Sequence, residues 1–352
     1  MKQILACLLL LLALPSSTAI AAPPPKAVKA ADGIFTAFQT HPLVGLGEWH
    51  GLAQELDFYA ALVRDPRFAS EVGNIVLEIG GAAQQAVVDR YVNGENLPYS
   101  ELRRVWTDVV GWLPTVTFMG SINLYATIRE VNRGLPPEKR IKVWLGEPPI
   151  DWSTIKTKAD WDPLVVQRDS YPAQLIEKEI LAKGKKALLI YGTGHFGQYP
   201  DPPNLRALLD KAHPGALFTV TPYGGYNSKA CAAQFERNIK KWPVPGLISP
   251  VRGSVLEKDA MLPACAVFGK PPAGIAAAQI ERAQRNNIGL TSDALLYLGP
   301  RDRFVFSPKS QDVYLDQDFR NELDRRIQII TGKPMGGNTV GGNPAYPRPF
   351  WQ

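Results

Sequence analysis

Ala187-Leu188-Leu189-Ile190-Tyr191-Gly192-Thr193-Gly194-His195 carries the clearest strand-and-turn signal in this chain. Five apolar residues in succession suit a strand buried on both faces of a parallel sheet. The glycines then permit a tight turn, and a core has no use for the imidazole that follows. Two other segments read the same way. Leu43-Val44-Gly45-Leu46 runs into Gly47-Glu48-Trp49-His50-Gly51, and Asn74-Ile75-Val76-Leu77 runs into Glu78-Ile79-Gly80-Gly81. In a parallel sheet the carboxyl ends of the strands face one crevice, where ligands bind. Glu48, His50, Glu78 and His195 are therefore expected to converge, although the linear order keeps them far apart.

The segments around these strands alternate with them. Helical spacing of apolar residues predicts helices over Ile34–Gln39, Gly51–Val63, Ala82–Val92 (with a left-handed cap at Asn93-Gly94), Ser100–Val110, Val116–Asn132, Pro163–Ala182 and Asn204–Ala212. Further strands are expected at Ile141–Leu145 and Leu217–Val220. The pattern defines an α/β fold, a three-layer α/β/α arrangement around a central parallel or mixed sheet with an irregular C-terminal extension. The single α/β domain is placed at 32–330. Residues 223–290 form an insert rich in Pro, Gly and Ala without assignable elements, Ala294–Leu298 returns as a strand and Asp316–Ile330 as a helix, and 331–352 is an irregular tail.

Composition excludes several classes. With 45% apolar and 20% charged residues the chain is neither disordered nor fibrous. The net charge of +6 is spread over many positions without a Lys/Arg block, so it gives no nucleic-acid footprint. Lys2, the apolar run Ile4–Leu14 and Ala19-Ile20-Ala21 have the layout of a secretory signal peptide over 1–21, cleaved near Ala21, followed by a flexible leader at 22–31. That run falls short of the ~20 apolar residues of a transmembrane helix, so no transmembrane anchor is expected and the chain reads as secreted or periplasmic. Cys231 and Cys265 then remain as an even pair, expected to form a disulfide in an oxidising compartment.

Only four histidines occur, and two of them, His50 and His195, fall in the turns after strands. One His in such a place is ordinarily structural, and one Glu can simply cap the next helix; the weight lies in the set. Gly192-Thr193-Gly194 lacks the third glycine of a dinucleotide fingerprint. His41 and His213 each precede a proline at an element boundary and read as structural.

The ordered motifs resemble those of the Tiki/ChaN-like superfamily, which includes erythromycin esterases, haem-binding ChaN lipoproteins and Tiki metalloproteases. Gly47-Glu48-Trp49-His50-Gly51 is similar to its opening motif. Glu78 with the segment Gln85–Gly94 is similar to the esterases' strand-ending Glu and following helix. Arg168-Asp169 opens a helical stretch about a turn and a half before Ile176, and Gly192-Thr193-Gly194-His195-Phe196 is similar to the terminal Gly-x-Gly-His motif. Erythromycin esterases usually place two residues between the Glu and the His of the first motif. Here Trp49 alone intervenes, as in the ChaN-like branch.

The resemblance implies one site with two chemistries open to it. In the first, a hydrolase acts on an ester, lactone or amide of a small-molecule or peptide substrate: His50 or His195 exchanges protons, Glu48 or Glu78 orients the imidazole, and Arg168 neutralises Asp169 or holds an anionic group. Glu48, His50, Glu78 and His195 also suit a divalent transition metal, although no His-x-x-x-His pair marks zinc. In the second, the chain is an envelope protein that binds haem, with Tyr59, Tyr91 or Tyr191 as axial candidates and no Cys-x-x-Cys-His motif for covalent attachment.

Overall fold

A computed structural model describes residues 26–111, 118–197, 202–225, 229–252, 254, 256, 292–310, 315–334 and 348–349. The signal peptide, Cys265, the side chain of Cys231 and most of the 223–290 insert and of the tail lie outside the described residues.

An eight-stranded mixed sheet occupies the centre. Its strands are β1 (Lys26–Lys29), β2 (Leu43–Glu48), β3 (Asn74–Gly81), β4 (Lys142–Glu147), β5 (Ala187–Gly192), β6 (Leu217–Pro222), β7 (Gly246–Ser249) and β8 (Ala294–Tyr297). They lie side by side in the order β1-β7-β8-β6-β2-β5-β3-β4. The six from β8 to β4 in that order are parallel to their neighbours within the group. β7 runs antiparallel to β8 and to the edge strand β1.

Alternation along β5 makes the three layers. Leu188 and Ile190 pack into a cluster with α1 (Ala30–Ala37), α2 (Ala53–Arg64), α3 (Gln85–Val92) and α6 (Met119–Arg133), while Ala187, Leu189 and Tyr191 join residues of α8 (Ser170–Glu179) and α9 (Leu205–Ala212) on the other face. Both faces are covered, which is why the strand reads as one continuous apolar run.

Several expected boundaries move. Residues 26–29, expected in the flexible leader, pair as β1, and Arg348–Pro349 (β10) of the expected irregular tail pairs with Val305–Phe306 (β9). Within the insert, α10 (Lys229–Asn238) and β7 are regular; β7 is four residues between prolines, too short to show a period. The helix expected over 100–110 is two single turns, α4 (Tyr99–Leu102) and α5 (Arg104–Thr107). The helix expected over 163–182 is also two: α7 (Lys158–Val165) starts at a capping box of Thr157 and Asp160, and α8 starts after Asp169. Pro172 sits in the first turn of α8, where its missing N–H is not needed. The break between them places Arg168 and Asp169 in a turn. α11 (Gln317–Thr331) is the last described helix, as expected, and is capped by Asp316. No helix among the described residues is long and apolar enough to cross a membrane.

Two glycines in β2 lock the central strands to the turn after β5. A Cβ on Gly45 would lie 2.7 Å from the Phe196 ring, and one on Gly47 3.1 Å from Thr193. The 3-10 turn Thr193–Phe196 therefore rests directly on bare backbone of β2. Replacing Gly45 by Ala should destabilise the protein by about 1–3 kcal/mol through overpacking at Phe196, measured as a lower urea midpoint with an unchanged m-value.

Candidate functional site

Strand order and register bring the motifs together. β5 lies between β2 and β3, with Glu48 paired to Gly192 and Leu77 level with Ile190. Glu48 and Glu78 thus flank the end of β5 from either side. Gly192 is the gap between them: a Cβ there would come within 3.1–3.2 Å of the His50 ring and Glu78 Oε2. His50 leans over this gap because Gly51 turns the chain through a left-handed conformation, φ +86°, disfavoured for other residues. The turn is held from below, where Trp49 N–H donates to Glu55 Oε2 at 2.8 Å and Tyr59 OH donates to the Gly47 carbonyl at 2.9 Å.

The four predicted groups and the Arg168-Asp169 pair all meet at this rim, in two linked sets. In one, His50 Nδ1 lies 2.8 Å from Glu48 Oε2; Glu48 is 3% exposed and the His50 side chain 31%, so the imidazole is the member a ligand can reach. In the other, Glu78 Oε1 accepts from Arg168 at 2.6 Å and faces His195 Nε2 at 3.2 Å, while Glu78 Oε2 accepts from Gly192 N–H. His195 Nδ1 is 2.6 Å from Asp169 Oδ1, which also accepts from Leu205 N–H at 2.7 Å. His195 thus has both ring nitrogens engaged by carboxylates.

Sequence reasoning missed Glu147. It ends β4 after Gly146, the same strand-end Gly-Glu that closes β2, and that parallel was the available signal. Its Oε1 accepts from Arg168 Nε at 2.7 Å and its Oε2 from Gly111 N–H at 2.9 Å. Arg168 therefore spans two buried carboxylates, Glu78 and Glu147, and does not neutralise Asp169 alone. Glu55 was read only as part of a helix; it is fully buried beneath Glu48.

Electrostatics follow from these contacts. Burial pushes the Glu78 carboxyl up, but His195, His50 and Arg168 together hold it well below the usual carboxylate range. Burial lowers both imidazoles, yet Glu48 and Glu78 raise His50 to about 9, and Glu78 and Asp169 raise His195 to about 10. Both are imidazolium at neutral pH. Burial pushes Glu147 up despite Arg168, and Glu55 far up, with Glu48 adding to the effect.

Ligand atoms of Glu48, His50 and Glu78 lie within 4.8 Å of one another, a spacing that can hold a metal ion. His195, expected as a fourth ligand, is not in this group; Asp169 and Glu78 hold its two nitrogens. Two of the three tyrosines considered for haem are shut away from solvent. Tyr59 and Tyr191 are buried, and Tyr91 lies on α3 with the Arg129 guanidinium 4.8 Å above its ring. His41 bonds Thr40, and His213 pairs with Glu177.

No family model and no curated protein matches this sequence. Solved structures do align with it. A mutant of the erythromycin esterase EreC in its open conformation aligns with a TM-score of 0.48 at 11% identity, over 76% of this chain and 92% of its own. A protein from Bacillus cereus aligns at 0.44 and 13% identity, over 78% and 94%. ChaN of Campylobacter jejuni, described with cofacial haem, aligns at 0.35 and 12% identity, over 55% and 86%.

The charge cluster makes stability pH-dependent. An unfolded-chain imidazole titrates near 6.5, and His195 in the fold near 10. The stabilisation from its extra proton affinity is complete below pH 6.5, declines between 6.5 and 10 and is lost above. Urea unfolding across this range should show stability falling with pH in the wild type and a shallower fall in His195→Gln. An equal slope in both would show that His195 is not the group responsible.

Proposed function

We propose that the chain is an exported hydrolase of an ester, lactone or amide bond, in which His50 exchanges protons with water and the leaving group. The observation that carries this reading is the 2.8 Å contact between His50 Nδ1 and the buried Glu48 carboxylate. Glu48 accepts from Nδ1–H and so fixes the tautomer and tilt of the ring, with Nε2 as the nitrogen that exchanges protons beside Gly192.

The neutral Nε2 takes a proton from an attacking water; the imidazolium so formed is stabilised by Glu48 and Glu78 and returns the proton to the leaving group. Arg168 and His195, kept charged by their carboxylates, place positive charge at the same rim, where a developing oxyanion draws on it. His50 is protonated at rest, so the base form becomes available as pH rises towards about 9. The rate should climb over that range and then level.

A screen of nitrophenyl esters and lactones tests the reading. Turnover above buffer is expected in the wild type, with kcat lowered roughly 10²–10⁴-fold in His50→Ala and a clear loss in Glu48→Gln. Equal rates in all three proteins would remove this pair from the mechanism.

The convergence of Glu48, His50 and Glu78 favours a second reading, in which a divalent transition metal is bound there. One imidazole and two carboxylates suit Zn, Mn, Co or Fe. Glu78 fits less well, since Arg168 and His195 already balance its charge. A bound metal supplies an acidified water, with a pKa of ~7 in favourable cases. Elemental analysis should find a stoichiometric metal in the wild type that is lost in His50→Ala. Equal trace amounts in both would leave the metal-free reading.

A further inference from the structure

Glu48 also lines a small hole in the packing, whose lining does not include His50. Glu48, Tyr59, Ser121 and Tyr125 line it together with apolar side chains that include Leu56 and Leu124, and its volume is about 20 Å³. That is enough for one water and too little for anything larger. Its lining is chiefly apolar, yet two buried polar atoms on it have no hydrogen-bond partner among the described residues, Glu48 Oε1 and Ser121 Oγ.

Both need an explanation. A carboxylate oxygen shut away from solvent without a donor is costly, and buried hydroxyls are ordinarily bonded. The buried residues of α6 are Ser121, Leu124, Tyr125, Thr127, Ile128 and Asn132; Thr127 accepts from Arg64 and Asn132 donates to the Val92 and Ile141 carbonyls, which leaves Ser121 as the polar side chain among them without a partner among the described residues. Tyr59 OH donates to the Gly47 carbonyl and Tyr125 OH to the Ile79 carbonyl, which leaves lone pairs on their oxygens as further acceptors at the wall.

We infer that this hole is a hydration site, in which one buried water bridges Ser121 Oγ to Glu48 Oε1 and makes Ser121 a positioning residue for the Glu48–His50 pair. The water donates to Glu48 Oε1 and accepts from the Ser121 hydroxyl; its second hydrogen reaches a tyrosine oxygen. Glu48 is then held at both oxygens, by His50 at one and by the water at the other. The functional part rests on Glu48 orienting His50, as proposed above; the hydration site itself does not.

A crystal structure that shows ordered water tests the site directly. A density peak in the hole within hydrogen-bond distance of both atoms is expected; an empty hole, or a peak touching neither atom, overturns the inference. Ser121→Val removes the hydroxyl and should lose the peak, Ser121→Ala should weaken it, and Ser121→Thr, which has the shape of Val but keeps the hydroxyl, should keep it. The far-downfield NMR resonance of the His50 Nδ1 proton reads out positioning without a substrate. Relative to the wild type it should shift in Ser121→Val and Ser121→Ala, where the hydroxyl is lost, and stay in place in Ser121→Thr, where it is kept. An unmoved resonance in Ser121→Ala overturns the positioning role. Where turnover is found, kcat should fall roughly 10–100-fold in Ser121→Ala with KM unchanged, the loss expected for a hydrogen bond to a charged group. Absence of turnover in the wild type with the peak and the resonance shift both present defeats the hydrolase reading and leaves this one standing.

Discussion

One buried carboxylate organises the rim. Glu78 takes Arg168 and His195 on one oxygen and the Gly192 amide on the other, with His50 close by across Gly192. A charge taken out of water is tolerated only when opposite charge and hydrogen bonds replace the solvent. Each cation drawn to Glu78 is in turn held by another acid: Arg168 by Glu147, His195 by Asp169 and His50 by Glu48. The signs alternate outward from the centre, so the cluster is one electrostatic unit.

The backbone makes that unit possible. β5 runs between β2 and β3, and the three strands deliver Glu48, Gly192 and Glu78 side by side at one end of the sheet. Side-chain bulk at Gly192 would separate His50 from Glu78, and bulk at Gly45 would lift Phe196 and the turn that carries His195. Glycine spacing, strand order and charge pairing are thus three aspects of one constraint. The broken helix between α7 and α8 serves it too, since a continuous helix would carry Arg168 and Asp169 past the rim instead of stopping at it.

Much of this was legible in the chain. Strands β2, β3 and β5 are apolar runs ending in glycine and an ionisable group, a contrast sharp enough to mark both the sheet and its functional edge. Other parts were hidden for physical reasons. β1 and β7 are four-residue strands at one side of the sheet, formed by the pairing of β1 with β7 and of β7 with β8 and not because of any local period. Glu147 was masked by the end assigned to its strand, and Glu55 by a helix whose other inward residues are apolar. Pro172 could not reveal whether a helix continues through it or begins just before it.

The sequence by itself determined the α/β class, the three strand-end motifs and the identity of four of the ionisable groups at the rim, because period and polarity are local properties; Arg168 and Asp169 were marked only by the resemblance. Tertiary structure alone decided how they are partnered. That Arg168 bridges Glu78 and Glu147, that His195 is held at both nitrogens while Glu48 takes His50, and that one face of Glu48 opens on an internal hole all depend on distances across strands that no linear spacing records.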